Sequence, residues 1–220
     1  SLTVRTDGKE RHFTARRVVG ADGASSLMRR TFYREPKTRY TAIQQWFPAG
    51  ENRAPFYSCI FDPVTSESCS WIIRKDDTLI FGGCFSPQDS REAYNRQKSR
   101  LEEYLGHSLG RPIKTEACQA VRQRGFSDFI TGRDGVYLIG EAAGFEGISS
   151  AIRSGSALAE AMSQADDDRE LARFYRRKTT SLRLKLWLKT IKRWFMYTPW
   201  VRHIIMRLGL AAIHVEQENK

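Results

Sequence analysis

Apolar and polar residues alternate in twos near the start of the chain and in threes and fours toward its end. Leu2-Thr3-Val4-Arg5-Thr6 alternates as a strand, and Asp7-Gly8 is a strong turn pair. Phe13 to Val19 predicts a second strand, ending at Gly20-Ala21-Asp22-Gly23, and Ser25-Ser26 supplies a cap region for a helix with Leu27-Met28-Arg29-Arg30 as its body. Tyr40–Phe47, Phe56–Phe61 and Cys69–Arg74 are rich in aromatic and β-branched residues and predict strands. Lys75-Asp76-Asp77 then turns the chain into Thr78–Phe85 to make a hairpin. Gly82-Gly83 inside that strand marks a bulge or a close backbone approach. Helical spacing covers Ser90–Leu105, and Glu116–Arg122 returns as strand. Val136-Tyr137-Leu138-Ile139 is a short, fully apolar strand between Gly135 and Gly140, as in the middle of a parallel sheet. From Ile148 to His214 the pattern is helical, broken near Asp166–Asp168 and at Pro199.

Charge changes this picture in one place. The formal net charge is +11 over 220 residues. Between Arg169 and Arg207, twelve basic residues stand against one acid, Glu170, so this window carries the whole excess and the rest of the chain balances. A hydrophobic content of 40%, with 11% aromatic, is enough to build a core and argues against global disorder. The longest charge-free runs, Tyr40–Gly50 and Thr78–Gln88, have eleven residues each, short of the ~20 needed to span a bilayer. Ser1-Leu2-Thr3-Val4-Arg5 reads as a strand already under way and not as a secretory signal. Four cysteines (Cys59, Cys69, Cys84, Cys118) without a C-x-x-C point to a reducing, cytoplasmic setting with buried thiols and no zinc site. The four histidines are scattered and expected at the surface.

Two glycine-rich turns at strand ends carry the candidate chemistry. One is Val18-Val19-Gly20-Ala21-Asp22-Gly23-Ala24-Ser25-Ser26. The other is Ile139-Gly140-Glu141-Ala142-Ala143-Gly144-Phe145, followed by Glu146-Gly147-Ile148 and a helix. Both place small residues and one acid just past the carboxyl end of a strand, where open α/β sheets bind nucleotides. There glycines let backbone N–H groups approach phosphate, and an acid can accept from ribose hydroxyls. The helix beginning near Ile148 would aim its positive end into the same crevice.

This pair of turns, with an antiparallel segment between them, resembles the two later fingerprints of flavoproteins with the p-hydroxybenzoate-hydroxylase fold, most nearly the geranylgeranyl-reductase branch. Gly20-Ala21-Asp22-Gly23 with Ser26 and Arg29 resembles the family's "DG" motif. Gly140-Glu141-Ala142-Ala143-Gly144-Phe145 resembles its "GD" motif, whose acid contacts the ribityl or ribose portion of FAD. Glu146 to Gly155 looks like the helix that follows, whose first amides lie near the flavin N1/O2 edge in that family. The hairpin from Cys69 to Asp77 resembles the branch's substrate-domain sheet.

The resemblance implies an α+β (α/β) fold. Residues 1–39 would be part of an FAD-binding domain with a Rossmann-like sheet, and 40–122 an antiparallel substrate-domain sheet with a helix. Residues 123–165 would return to the FAD-binding domain, and 166–220 would form a basic helical tail. The implied cofactor-binding residues are Gly20, Asp22, Gly23, Arg29, Gly140, Glu141, Ala142, Gly144, Gly147 and Ile148. The implied substrate-lining residues are Trp46, Phe56, Trp71 and Phe81. The implied activity is that of an FAD-dependent oxidoreductase reducing double bonds of an apolar, isoprenoid-like substrate, with NAD(P)H or another reductant as donor. A flavin monooxygenase or halogenase on the same fold is the near alternative, and a non-catalytic membrane- or partner-binding remnant is a second. No side chain stands out as a general acid.

Three departures from the family pattern stand in the sequence. No G-x-G-x-x-G occurs, so the family's opening β-α-β unit is expected before residue 1. The usual Asp of the second motif is Glu141, one methylene longer. Several residues, including a proline, that the family carries between the equivalents of Phe145 and Glu146 have no counterpart.

In the basic window Leu184, Trp187, Leu188, Ile191, Trp194 and Phe195 share one helical face, with Lys185, Lys189, Lys192 and Arg193 opposite. Trp200, Val201, Ile204, Ile205 and Leu208 continue an apolar stripe past Pro199. Such a face packs on the protein's own body, or meets an anionic membrane surface through residues 181–208 as a peripheral attachment, or meets an acidic partner. No nucleic-acid module is recognisable.

Overall fold

The computed structural model describes residues 1–34, 38–50 and 57–208. They form two compact units. One comprises Ser1–Arg39 with Gln119–Trp187, the other Tyr40–Cys118 with the chain from Leu188 onward. The segment expected as a single tail is thus divided, Asp166–Trp187 belonging to the first unit and Leu188–Leu208 to the second.

The first unit opens with a hairpin of β1 (Leu2–Thr6) and β2 (Lys9–Phe13). Asp7 and Gly8 both take positive φ, the two-residue turn that matches the twist of an antiparallel ribbon. The expected second strand over Phe13–Val19 is therefore corrected. Lys9-Glu10-Arg11-His12 has no apolar face, but the turn dictates register and pairs Arg5 with Glu10. That pair closes a 2.6 Å ion pair.

A separate three-stranded sheet has the order β3-β10-β9, with β3 at Val18–Gly20, β9 at Gly132–Arg133 and β10 at Val136–Leu138. β10 runs parallel to β3 and antiparallel to β9. Four α-helical elements of this unit follow the strands. They are α1 (Leu27–Phe32), α3 (Gly140–Ala143), α4 (Ile148–Gln164) and α5 (Asp168–Lys178). α6 (Thr180–Tyr197) starts here too. The core of this unit joins Tyr137 and Leu138 of β10 to Ala142, Ala143, Phe145, Leu158, Leu171, Tyr175, Leu182 and Leu186. Tyr175 is fully buried and donates to the Leu138 carbonyl at 2.9 Å, which ties α5 to the strand.

The second unit is a five-stranded sheet in the order β5-β6-β7-β4-β8. Its strands are β4 (Arg39–Pro48), β5 (Tyr57–Ile60), β6 (Ser70–Lys75), β7 (Thr78–Phe85) and β8 (Lys114–Val121). The pairs β4–β7, β5–β6 and β6–β7 are antiparallel. α2 (Ser90–Leu105) covers one face. Ala93, Tyr94 and Leu101 of α2 meet Ile43, Phe47, Ile72, Leu79, Phe81 and Phe85 in one apolar cluster. β7 pairs without interruption through Gly82 and Gly83, so the glycines mark close approach and not a bulge. A Cβ on Gly82 would lie 2.7 Å from the Trp71 ring. α7 (Pro199–Arg207) closes the described chain, with Pro199 in its first turn.

None of the four cysteines is in a disulfide and none is buried, which corrects the expectation of core thiols. No helix among the described residues is long and apolar enough to cross a membrane.

Candidate functional site

β3 and β10 lie side by side in parallel with Leu138 opposite Gly20, and the Ile139 N–H donates to the Gly20 carbonyl at 3.0 Å. The two glycine-rich turns therefore leave neighbouring strands at the same carboxyl edge. That is the edge at which open α/β sheets take nucleotides.

The first turn spends most of its polar groups on starting α1. Ser26 caps the helix by accepting from the Arg29 N–H at 2.9 Å, and its hydroxyl donates to Asp22 Oδ1 at 2.5 Å. Asp22 Oδ2 accepts from the Met28 N–H at 3.1 Å. Partial burial alone would raise the Asp22 carboxyl, but these hydrogen bonds from Ser26 and Met28 outweigh it and hold the group below its ordinary value. Gly20 admits no side chain, since a Cβ would sit 2.7 Å from both Leu138 Cδ2 and Met28 Cβ. Gly23 takes φ +72 with open space before it.

Arg29 is turned wholly inward. Its Nε donates to the Arg34 carbonyl at 3.1 Å, Nη1 to the Ala142 carbonyl at 3.1 Å and Nη2 to the Asp128 carbonyl at 2.8 Å. Desolvation lowers its pKa to about 10, against the nearby Asp128 charge that favours the cation. Asp128 is itself buried and accepts the Arg124 and Gly125 N–H groups at 2.9 and 3.0 Å. These three guanidinium contacts of Arg29 all go to backbone, and the residue latches the first turn to the second.

The second turn folds as α3. Gly140 takes φ +59, and its N–H donates to Ser154 Oγ of α4 at 2.8 Å. Ala142 and Ala143 are fully buried, and Gly144 ends the helix at φ +96, where a Cβ would strike the Gln123 side chain at 2.7 Å. Phe145 packs against Phe129 with ring centroids 5.5 Å apart. Glu141 is half-buried on the same short helix. Burial first, and then the neighbouring Glu146 charge, push its carboxyl above the usual value.

Gly147 precedes α4 at φ +85 with nothing within 4 Å of where a Cβ would stand, and no side chain caps this helix. Its first-turn amides have no intrahelical partner by geometry. Ile148, the first helical residue, is 83% exposed. Of the ten residues implied as cofactor ligands, Gly20, Arg29, Gly140, Ala142 and Gly144 build the frame. Asp22, Gly23, Glu141, Gly147 and Ile148 present surface. Ser154 and Asp128, which lie outside both glycine turns, hold that frame. The signal for Asp128 is a turn of the form Gly125-Phe126-Ser127-Asp128, in which the acid caps its own first amides.

The substrate-lining expectations divide by strand alternation. Phe81 is fully buried in the α2-side cluster and is corrected to a core residue. Trp46 and Trp71 each neighbour a core residue, Phe47 and Ile72, and so project from the opposite face, where both are partly exposed. Phe56 lies outside the described residues. Among the described residues no group of His, Cys, Asp and Glu is placed to hold a metal ion.

No family model matches the chain. Protein CbrA of Escherichia coli O6:H1 (strain CFT073) is 41% identical over 216 residues, covering 95% of this chain and 58% of that protein. The chain thus spans about three fifths of the length of the curated relatives it matches, 58% or 60% for each of the first three. Among solved structures, a geranylgeranyl bacteriochlorophyll reductase-like protein from Thermoplasma acidophilum is similar with a TM-score of 0.70 at 14% identity, over 98% of this chain and 60% of that one. PqsL of Pseudomonas aeruginosa, described as a probable FAD-dependent monooxygenase, is similar with a TM-score of 0.60 at 16% identity, over 96% of this chain and 63% of that one. The fold shared with these structures is an α+β fold, with a short mixed sheet that pairs β3 and β10 in parallel in one unit and a five-stranded sheet in the other.

Proposed function

We propose that this chain is the larger part of an FAD-dependent oxidoreductase that reduces double bonds of an apolar, isoprenoid-like substrate. The observation that carries the reading is the parallel pairing of β3 and β10. It brings two acid-bearing glycine turns and the uncapped start of α4 to one sheet edge.

The residues present fit one end of FAD. Glu141 would accept a hydrogen bond from a ribityl or ribose hydroxyl, its extra methylene re-aiming the carboxylate relative to the Asp of related motifs. The N–H groups of Gly147 and Ile148 would face the negative charge that gathers at the N1/O2 edge of a reduced flavin ring. Gly23 and Gly147 leave room in front of the backbone for such an approach. When bound, FAD supplies the hydride chemistry. Gly20, Gly140 and Arg29 hold the two turns in register, and Asp22 anchors the helix after the first turn. Trp46 and Trp71 offer an apolar surface on the α2-free face of the second unit, which supports an apolar substrate. NAD(P)H or another reductant would recharge the flavin.

The likeness to PqsL keeps oxygen transfer as the second reading. The two separate on oxygen. Full-length protein supplied with FAD, NAD(P)H and a polyprenyl alcohol should reduce the alkene under anaerobic conditions with no loss of rate. Turnover that stops without oxygen, with oxygen consumed in proportion to substrate, assigns the monooxygenase or halogenase chemistry instead.

A further inference from the structure

The second unit carries a helical surface that its own core does not use. In the distal half of α6 the partly buried residues are Thr190, Arg193, Met196 and Tyr197. Arg193 reaches Tyr40 and Glu67, both at 3.4 Å, and the Tyr197 ring meets Phe61 edge-on at 5.7 Å. Leu188, Ile191 and Phe195 share one helical face, and all three are exposed. Trp194, at the edge of that face, is 65% exposed, and its ring packs only edge-to-face on Phe195 at 5.1 Å among the ring contacts described.

α7 repeats the arrangement. Arg202 lies over Phe61 and donates to the Met196 carbonyl at 2.9 Å, which anchors the inward side. Trp200, Ile204 and Leu208 form an outward stripe, with Trp200 67% exposed. Exposed cations border both stripes, Lys189 and Lys192 on α6 and Arg207 on α7. From Leu188 to Leu208 there is no Asp or Glu. Two exposed tryptophans beside these apolar stripes mark an interaction surface.

We propose that α6 and α7 dock on an anionic lipid bilayer, lying in the interface with these aromatic and aliphatic stripes inserted. The charge selects this occupant. A surface with lysines and arginine beside its apolar stripes and no acid among them complements acidic headgroups, and tryptophan is the residue that settles at the interfacial level. Neither helix is built to cross, so the attachment is peripheral and reversible. This docking does not depend on the flavin reading, and its test needs no cofactor.

The experiment is co-sedimentation of the full-length protein with vesicles of phosphatidylcholine alone or mixed with phosphatidylglycerol, with tryptophan emission recorded. Binding to the mixed vesicles at low salt is expected, with a blue shift and release as salt is raised. The triple variant Lys189→Gln, Lys192→Gln, Arg207→Gln should lower the partition coefficient about 100-fold, roughly fivefold per basic residue. Trp194→Ser with Trp200→Ser should abolish the blue shift and weaken binding while the thermal melt stays at the parent's value. Failure to pellet with phosphatidylglycerol vesicles at low salt overturns the proposal. So does an equal, salt-insensitive affinity for both vesicles. A lipid-free dimer that dissociates on replacing the two tryptophans overturns it too, assigning the face to a second copy of the chain.

Discussion

The Arg29 guanidinium donates to the Ala142 carbonyl at 3.1 Å, joining residues 113 positions apart in the chain. Its other donors go to the carbonyls of Arg34 and Asp128. One buried side chain thus fixes the helix after the first glycine turn against the second turn, and with it the floor of the proposed flavin crevice.

Replacing it should therefore cost stability before it costs chemistry. Arg29→Met strands two buried carbonyls, those of Ala142 and Asp128, and the part-buried one of Arg34, at about 1–3 kcal/mol for each that finds no water. An unfolding free energy from urea titration lowered by about 3 kcal/mol or more overall is expected, and Arg29→Lys should fall between the parent and Arg29→Met. An Arg29→Met protein that unfolds like the parent yet loses flavin would make Arg29 a ligand and not a latch.

Gly20 offers a cleaner steric test. Its missing Cβ would stand 2.7 Å from Leu138 Cδ2 and Met28 Cβ. Gly20→Ala should destabilise by about 1–3 kcal/mol through overpacking. An unchanged melting temperature would mean that α1 moves freely against β10.

Glu141 gives a pH signature of definite sign. Its carboxyl is raised above 4.5 by burial and by Glu146, so the native state holds this proton more tightly than the unfolded chain. The group's contribution favours the fold below the unfolded value and is lost as pH rises through the folded one. The parent minus Glu141→Gln difference in stability should decline across that window and then level off. Flavin affinity should move oppositely, improving as Glu141 ionises and becomes the better acceptor. A stability difference flat with pH would place Glu141 in water.

The start of α4 separates helix energetics from ligand binding. Ser149→Glu adds an acid to an uncapped first turn that has none, and should stabilise the fold by about 0.3–1 kcal/mol. The same charge should oppose the electron-rich edge of the flavin and weaken its binding. Both effects having the same sign would remove the α4 amides from the site.

Much of this architecture is legible in the residues, because alternation and turn chemistry are local. Thr78–Phe85 and Ser90–Leu105 follow directly from period and punctuation. β2 escapes because Lys9-Glu10-Arg11-His12 has no apolar face, and only its pairing with β1 makes it a strand. Phe81 reads as a site aromatic until alternation is registered against α2. α6 carries apolar residues on two faces, and periodicity alone does not say which turns inward. The fold buries Leu182 and Leu186 with Arg183 and leaves Leu184 and Leu188 outside. In the candidate site the glycines and acids are visible as a motif. The division between frame and surface is not, since it depends on Arg29, Asp128 and Ser154 meeting across long stretches of chain.

The edge shared by β3 and β10 is the proposed seat of FAD. The most direct measurement is the visible absorption spectrum of the full-length protein after reconstitution with FAD and gel filtration. A flavin band should elute with the protein and weaken in Ser149→Glu and Glu141→Ala variants that still melt cooperatively. Protein that elutes without a flavin band after reconstitution would contradict it.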